Sequence, residues 1–536
     1  MRRRFVAALL TSALAFACTR ETPAPPPPPP KKPVPVATTD GGLLVRRLEG
    51  DVKTLNYLLQ QTEDERQVLS LLYDPLVDLD QNLTPIPGVA AKWEVLDGGK
   101  TYVLHLDPRA NFSDGTPVRA NDVIFTLNKI FDAQSIQFAP WFEGLDRAQT
   151  KAVDERTVRV VFDSPHAGRI YSFNIGVMPE HVYAKENFGR TKKVIGNGPY
   201  VLAKRERDGS VVLERRDNYW RDKPPIKTVR FRPITDDTIA WRALERGDID
   251  VSRVVNDQWV RVKDQPAVQE KITFFTTWQL GYNCIVWNLE DPLLNDARVR
   301  RALAMAFDRQ TVIDKLYHGQ ARAVSGPFTP DLVENSPESA PIEFNPTAAA
   351  ALLASAGWND SDEDGVLDRE GKKFELTLLI IGEHGISRDQ AQVFQDALAR
   401  IGVKLEIKAL DEAAVFDAVL GRKYQAAFLS WINEPDPDPS DLFHSKNMAP
   451  DGMNVTGYAN AEADQLMDQA KAELNPARRI ELYHQLHDVL ARDQPYLWTV
   501  QVSEKWAVNR RVQNVQVAKG FGLFHWYPDS RSWWLK

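Results

Sequence analysis

Three carboxylates alternate with prolines in Trp431-Ile432-Asn433-Glu434-Pro435-Asp436-Pro437-Asp438-Pro439. Crowded into one loop, Glu434, Asp436 and Asp438 repel one another unless a cation sits among them. That pattern suits a positively charged ligand group, although paired acids of this kind could in principle serve hydrolysis. The loop follows an apolar run, 424–430, that reads as a strand, and α/β folds collect ligands at the carboxyl ends of strands. A solvated acidic turn is the plain alternative. No nucleophilic or zinc-hydrolytic spacing occurs elsewhere: GxSxG, HExxH and SxxK are all missing, and no cysteine stands beside a plausible base.

A second acidic run, Asp360-Ser361-Asp362-Glu363-Asp364-Gly365, has the D-x-D-x-D-G spacing of a calcium loop. Its closing bidentate glutamate belongs where Gly371 stands, with Glu370 one position short, so an ordinary polar turn competes with calcium at Asp360, Asp362 and Asp364. His484 and His487 lie three apart on an expected helix and could share a face, as ordinary helix residues also do. His384 reads as solvated.

These residues need a scaffold, and strands alternate with helices along much of the chain. Residues 101–106 alternate like a strand, 112–117 carry turn chemistry, and 118–131 have helical spacing. Asn295 or Asp296 can cap a helix running to about Tyr317, with Gly319 past its end. Asn345-Pro346 opens another, ending at Gly357. Ser387 caps a third that exits at Gly402, and Asn475-Pro476 starts a fourth reaching about Ala491. Strand-like runs at 374–381, 403–409 and 424–430 between helices predict an α/β fold.

The chain opens with Arg2-Arg3-Arg4, an apolar run from Phe5 to Ala17, and Cys18, the layout of a secretory signal over 1–17. The run is short for a bilayer, which needs about 20 residues. Cys18 sits where a bacterial lipobox ends, which predicts lipidation; Ala15, where leucine is usual, and the bulky Phe16 depart from that pattern. A plain signal peptide cut beside Cys18 is the alternative. Residues 23–35 are mostly proline and predict a polyproline II spacer at about 3.1 Å per residue, on the order of 40 Å long. The linker spans 18–39, and its PxxP could instead bind a partner.

About 500 residues follow, enough for two or three domains. With 43% hydrophobic and 26% charged residues, composition is that of a globular protein. A net charge of −7 and a pI near 5.8 argue against a nucleic-acid surface. Beyond Cys18 only Cys284 remains, which leaves no pair for an intrachain disulfide and no cysteine metal cluster. Fourteen tryptophans mildly favour a ring-lined cleft over a core-only role.

Many segments in order resemble the peptide-type solute-binding proteins, family 5, of ABC importers. They include Thr54-Leu55-Asn56, LLYDPLV at 71–77, and PGVAAKWEVLDGGKTYVLHLDPRANFSDGTPVRANDVIFTL across 87–127. Further on stand MPEH at 178–181, GNGPY at 196–200, DNYW at 217–220, ALERGDID at 243–250 and NDARVRRALAMAFDR at 295–309. ALLASAGWNDSDEDG at 351–365 and WINEPDPDPSDLF from Trp431 complete the set.

The resemblance implies a class II periplasmic binding fold: two α/β lobes around a hinge, with a domain inserted in the first lobe. Lobe I would take 40–75, 190–278 and 500–536, the insert 76–189, and lobe II 279–499. A short peptide, dipeptide or oligopeptide, would be held between closing lobes and handed to an ABC permease with its ATPase. No cofactor and no catalysis are implied, and a monomer is expected on the outer face of a bacterial membrane. The same fold also holds nickel chelates, haem, opines and sugars, or serves sensing. In such relatives an acid three residues after the tryptophan pairs with the ligand's α-ammonium. Here that position is Glu434, with one extra residue before Asp438-Pro439, so Asp436 competes for the role beside Trp431. The ligand's carboxylate end would need a cation or a helix start, and Arg388 after Ser387 offers both. Tyr282 and Trp287, near the lobe crossover, could face the cleft or pack in the core.

Overall fold

The computed structural model describes residues 40–132, 135, 137–185, 193–382, 385–450 and 452–536. The expected signal, Cys18 and the proline linker lie outside them, as does His384.

Three sheets organise the chain. The largest runs in the order 272–278, 500–509, 251–254, 43–48, 228–233, 211–215, 200–205, with 321–323 paired to 500–509. Leu43–Leu48 is parallel to both its neighbours, and the flanking strands are antiparallel. A second sheet, of five strands, is ordered 404–410, 375–381, 426–432, 281–287, 496–498. Its first three strands are parallel, joined by helices Gly385–Ala399 and Glu412–Leu420. A third, antiparallel sheet joins 90–96, 101–106, 157–161 and 151–152. The α/β expectation and a two-lobed arrangement are both met.

Only residues 279–280 and Thr499 separate strands of the first sheet from strands of the second. Ile272–Trp278 pairs with Val500–Asn509 on one side, and Gly281–Trp287 pairs with Tyr496–Trp498 on the other. Gln501 Nε2 donates to the Gln279 carbonyl at 2.6 Å, and Thr499 N donates to the Asn283 carbonyl at 2.9 Å. The two strand crossings lie side by side, joined by these hydrogen bonds.

Gly281–Trp287 is an interior strand of a sheet covered on both faces, so both of its side-chain sets are buried. Tyr282, Cys284 and Val286 enter one core with Tyr483, Tyr496 and Trp498, while Ile285 and Trp287 enter the other with Phe307, Phe394 and Leu378. Tyr282 is 2% exposed and Trp287 0%. Neither faces a cleft, which corrects the cleft-lining expectation for both. Period-two alternation sends them to opposite cores.

Two helices differ from their sequence patterns. The helix expected from 296 to 317 stops at Ala306, because Phe307 leaves helical geometry (ψ 112°) and Asp308 caps a new turn at Thr311. Buried Arg309 explains the break: its guanidinium donates to the carbonyls of Trp498, Ala304 and Ile342. The helix expected to be capped by Ser387 begins earlier, at Gly385, so Ser387 lies inside it. Asp296, Asn345 and Asn475 cap as expected. Replacing Trp287 by Ala should cost about 3–5 kcal/mol of stability through cavity formation, read as a lower urea midpoint.

Candidate functional site

A cavity of about 380 Å³ opens between the segment 434–441 and the segment 137–174. Pockets for small ligands span about 300–1,000 Å³. Trp141, Tyr171 and Phe521 supply aromatic wall, and Arg66, Glu434 and Asp436 supply charge. Burial raises the Tyr171 hydroxyl to about 12, so it stays protonated and can donate to a ligand.

The strand Ala426–Ile432 positions the acids. It runs two residues further than the expected 424–430, so Trp431 is its penultimate residue, in register with Tyr282. Trp431 packs toward the Tyr282 core. Ile432, on the opposite face, is 76% exposed. Asn433 then anchors the chain, its N–H donating to the Leu280 carbonyl and its Nδ2 to the Pro327 carbonyl. Glu434 is delivered into the cavity at the strand's carboxyl end.

Glu434 and Asp436 have opposite circumstances. Asp436 is clamped: Arg479 Nη2 donates to Oδ1 at 2.5 Å, and His166 Nε2 lies 3.0 Å from Oδ2. Its carboxylate rests against the bare Cα of Gly168, where a Cβ would stand 1.5 Å from Oδ2. Burial alone would raise its pKa, but Arg479 and His166 outweigh that and hold it at about 2. Asp438 lies 3.7 Å from both His166 Nε2 and Lys471 Nζ. The Ala167 N–H adds a 2.7 Å bond to the Lys471 carbonyl. These contacts stitch the 163–172 turn to the 436–438 loop and the helices behind it. Glu434 has no hydrogen bond or ion pair among the described residues. It reaches water in the open cavity, yet protein on both walls crowds it, so burial raises its pKa while Arg66 pulls the other way.

The profile of bacterial extracellular solute-binding proteins, family 5 (middle region), matches residues 84–451. The chain belongs to this family. It is 27% identical over 516 residues to the oligopeptide-binding protein AppA of Bacillus subtilis, covering 92% of each chain. It is 24% identical to the dipeptide-binding protein of Escherichia coli K12, covering 80% of this chain and 83% of that one. In three dimensions it resembles AppA in complex with a nonapeptide, with a TM-score of 0.72 and 25% identity. That match covers 93% of this chain and 100% of AppA. HbpA2 from Haemophilus parasuis has the same fold, with a TM-score of 0.81 at 22% identity over 92% of this chain and 100% of that one. Family members are solute-binding proteins that work outside the cytoplasm.

Around this cavity, the structure brings together only part of the expected set. Glu434 and Asp436 line the cavity; Trp431 backs it from the core side, and Tyr282 and Trp287 are core. Arg388 is an exposed residue inside the helix Gly385–Ala399, away from the cavity lining. Arg388 does stand in the first turn of that helix, but neither it nor the helix start is part of this cavity's lining. In the acidic turn, Lys373 Nζ contacts Asp362 Oδ1 at 2.5 Å and Asp364 Oδ1 at 2.9 Å. Asp360 accepts from the N–H groups of Asp364 and Gly365. The carboxylates of Asp360, Asp362 and Asp368 do converge, and Lys373 Nζ lies 3.9 Å from Asp368 Oδ2 as well, leaving Asp360 with backbone donors only. His487 is buried, with Nδ1 accepting from the Ser336 N–H and Nε2 beside Ser325 Oγ, while His484 Nε2 donates to the Val333 carbonyl. The two histidines share no site.

Arg66, Trp141, His166, Tyr171 and Phe521 were not singled out by sequence. Each sits on a helix or turn whose local pattern is unremarkable, and only folding gathers them. Asp436 should contribute stability that is complete above its unfolded value of 3.8 and lost as pH falls toward about 2. Asp436→Asn should cost about 3 kcal/mol at neutral pH by breaking a buried pair. The gap between the two proteins, followed by urea unfolding against pH, should close across that window.

Proposed function

We propose that the chain is the substrate-binding component of an ABC importer that captures a short peptide and passes it to a membrane permease. The observation that carries this reading is Glu434. It is a carboxylate at a strand's carboxyl end, crowded by protein, facing a ligand-sized cavity and left without a partner, whereas Asp436 beside it is fully engaged. An ammonium group supplies what Glu434 lacks. An unpaired carboxylate enclosed by closing walls is costly, so the site discriminates against ligands without that charge. Peptide-binding relatives across nearly the whole chain support the same reading.

The reading includes lobe I as 40–75, 190–278 and 500–536, the insert as 76–189, and lobe II as 279–499, boundaries supported by how strands sort into the three sheets. It also includes a monomer without catalytic function. Lipidation at Cys18 followed by the proline linker would keep the binding protein near its permease and raise its effective concentration there.

Calorimetry with short-peptide pools and their N-acetylated forms tests the ligand. Free peptides should bind, and acetylation or Glu434→Gln should weaken binding by about tenfold or more. Affinity should fall with acidification as Glu434 protonates, starting above the usual glutamate value of 4.5 because its pKa is raised. Equal binding of both forms, or binding of non-peptide solutes only, would overturn the peptide. Separately, Cys18→Ala should move the protein from the membrane to the soluble fraction; retention in the membrane would refute the anchor.

A further inference from the structure

On the lobe boundaries proposed above, every ion pair that joins 279–499 to the rest of the chain is made by a histidine among the described residues. His166 Nε2 lies 3.0 Å from Asp436 Oδ2 and 3.7 Å from Asp438 Oδ2, and His318 Nε2 lies 2.9 Å from Asp257 Oδ1. The permanently charged groups pair within their own side. Arg479 and Lys471 serve Asp436 and Asp438 from the helices behind them, while Arg221 holds Asp78 on the other side.

His166 is the buried member of this set. Its side chain is 15% exposed, against 40% for His318. Its turn is tied to both walls. Tyr102 Oη donates to the His166 carbonyl at 3.1 Å from one side, and the Ala167 N–H reaches the Lys471 carbonyl on the other. Gly168, next in the turn, leaves room for the Asp436 carboxylate against its backbone.

The charges around the ring do not balance without it. Asp436, Asp438 and Asp441 bring three carboxylates to this edge, and Arg479 and Lys471 bring two cations. Glu143, on the ring's own side, adds another acid near Asp441. Arg169 is turned away to the carbonyls of Trp141 and Glu143. The second ring nitrogen of His166, Nδ1, is buried without a partner, so the carboxylates at Nε2 are what favours an imidazolium. Either form of the ring can donate from Nε2 to Asp436. The proton therefore changes the charge at the boundary more than the hydrogen bond, and buried pairs are screened little by salt. The exposed His318–Asp257 pair acts in the same direction but counts for little.

Resting on the two-lobed peptide reading above, we infer that closure of the cleft is coupled to protonation of His166. The lobes close more readily with an imidazolium than with an imidazole facing Asp436 and Asp438. Opening returns the ring to water and leaves those acids to Arg479 and Lys471, so the closed form binds the proton more tightly. By linkage, proton binding then favours closure. The effect is full at the acid end of the range in which histidines titrate, about pH 5 to 8, and is lost as pH rises through it. Glu434 acts the other way at lower pH, because its protonation removes the counter-charge to the ligand. Peptide affinity then passes through a maximum, with Glu434 setting the acid limb and His166 the alkaline limb.

Two measurements on the mature chain test this. Small-angle X-ray scattering without ligand should give a smaller radius of gyration at about pH 6 than at about pH 8.5. Calorimetry with short-peptide pools should show about three- to tenfold tighter binding at the lower of these values, with net proton uptake when repeated in buffers of different ionisation enthalpy. His166→Gln should remove the scattering difference and flatten the alkaline limb while leaving the acid limb. Glu434→Gln should do the reverse, and His318→Gln should preserve most of both. Circular dichroism of each variant reports folding, and the scattering comparison on the unmodified chain needs no variant. Scattering and affinity that do not change between the two pH values, or that change equally in His166→Gln, would overturn the coupling and leave the peptide reading intact. Compaction at low pH that His166→Gln abolishes, with no peptide bound at any pH, would support the coupling and overturn the peptide.

Discussion

The molecule turns on two strand crossings that lie side by side, at residues 279–280 and at Thr499. Each strand leaves one sheet and enters the other almost without interruption, and hydrogen bonds from Gln501 to Gln279 and from Thr499 to Asn283 span the junction. Backbone donors at such a place must be paired, because the chain there is buried. The pairing fixes where the two sheets meet. It also sets the register that sends Tyr282 into one core and Trp287 into the other.

From that junction the strand Ala426–Ile432 projects its carboxyl end toward the facing wall, and the acids beyond it divide their work. Asp436, held by Arg479 and His166 against the bare Cα of Gly168, ties one end of the cleft across to the 163–172 turn. Glu434, two residues away, is kept free of such partners by the anchoring of Asn433. Without the clamp on Asp436 two carboxylates would compete for one cation. With it, on the peptide reading proposed above, the ligand's ammonium has a single address. Arg66 lines the same cavity, and nearby Gln60 Oε1 is buried without a hydrogen-bond partner among the described residues.

Much of this was legible in the residues. Helix starts followed from Asp296, Asn345 and Asn475, whose side chains offer acceptors to the first free N–H groups. The strands at 101–106, 375–381 and 404–410 followed from their apolar patterns, and many short motifs in order pointed to the family and to Glu434. Local rules failed where distant carbonyls or cores intervened. The helix after Asp296 breaks because Arg309 is drawn to Trp498 and Ile342. The helix near 387 starts before its apparent cap. Tyr282 and Trp287 were ambiguous because an aromatic on a strand reads alike whether one face is buried or both.

What the sequence determined by itself is therefore the class of fold, the positions of most elements and the presence of an acid at a strand's end, since these depend on patterns spanning a few neighbouring residues. Only the tertiary structure decided which acid keeps no partner among the described residues, and that Lys373 pairs with Asp362 and Asp364 of the acidic turn. The first depends on partners tens to hundreds of residues away, such as Arg479 and His166 for Asp436, and the second on a short hairpin that folds Lys373 back over the turn. An ionic or hydrogen-bonding group declares its role only when its surroundings show whether its needs are already met.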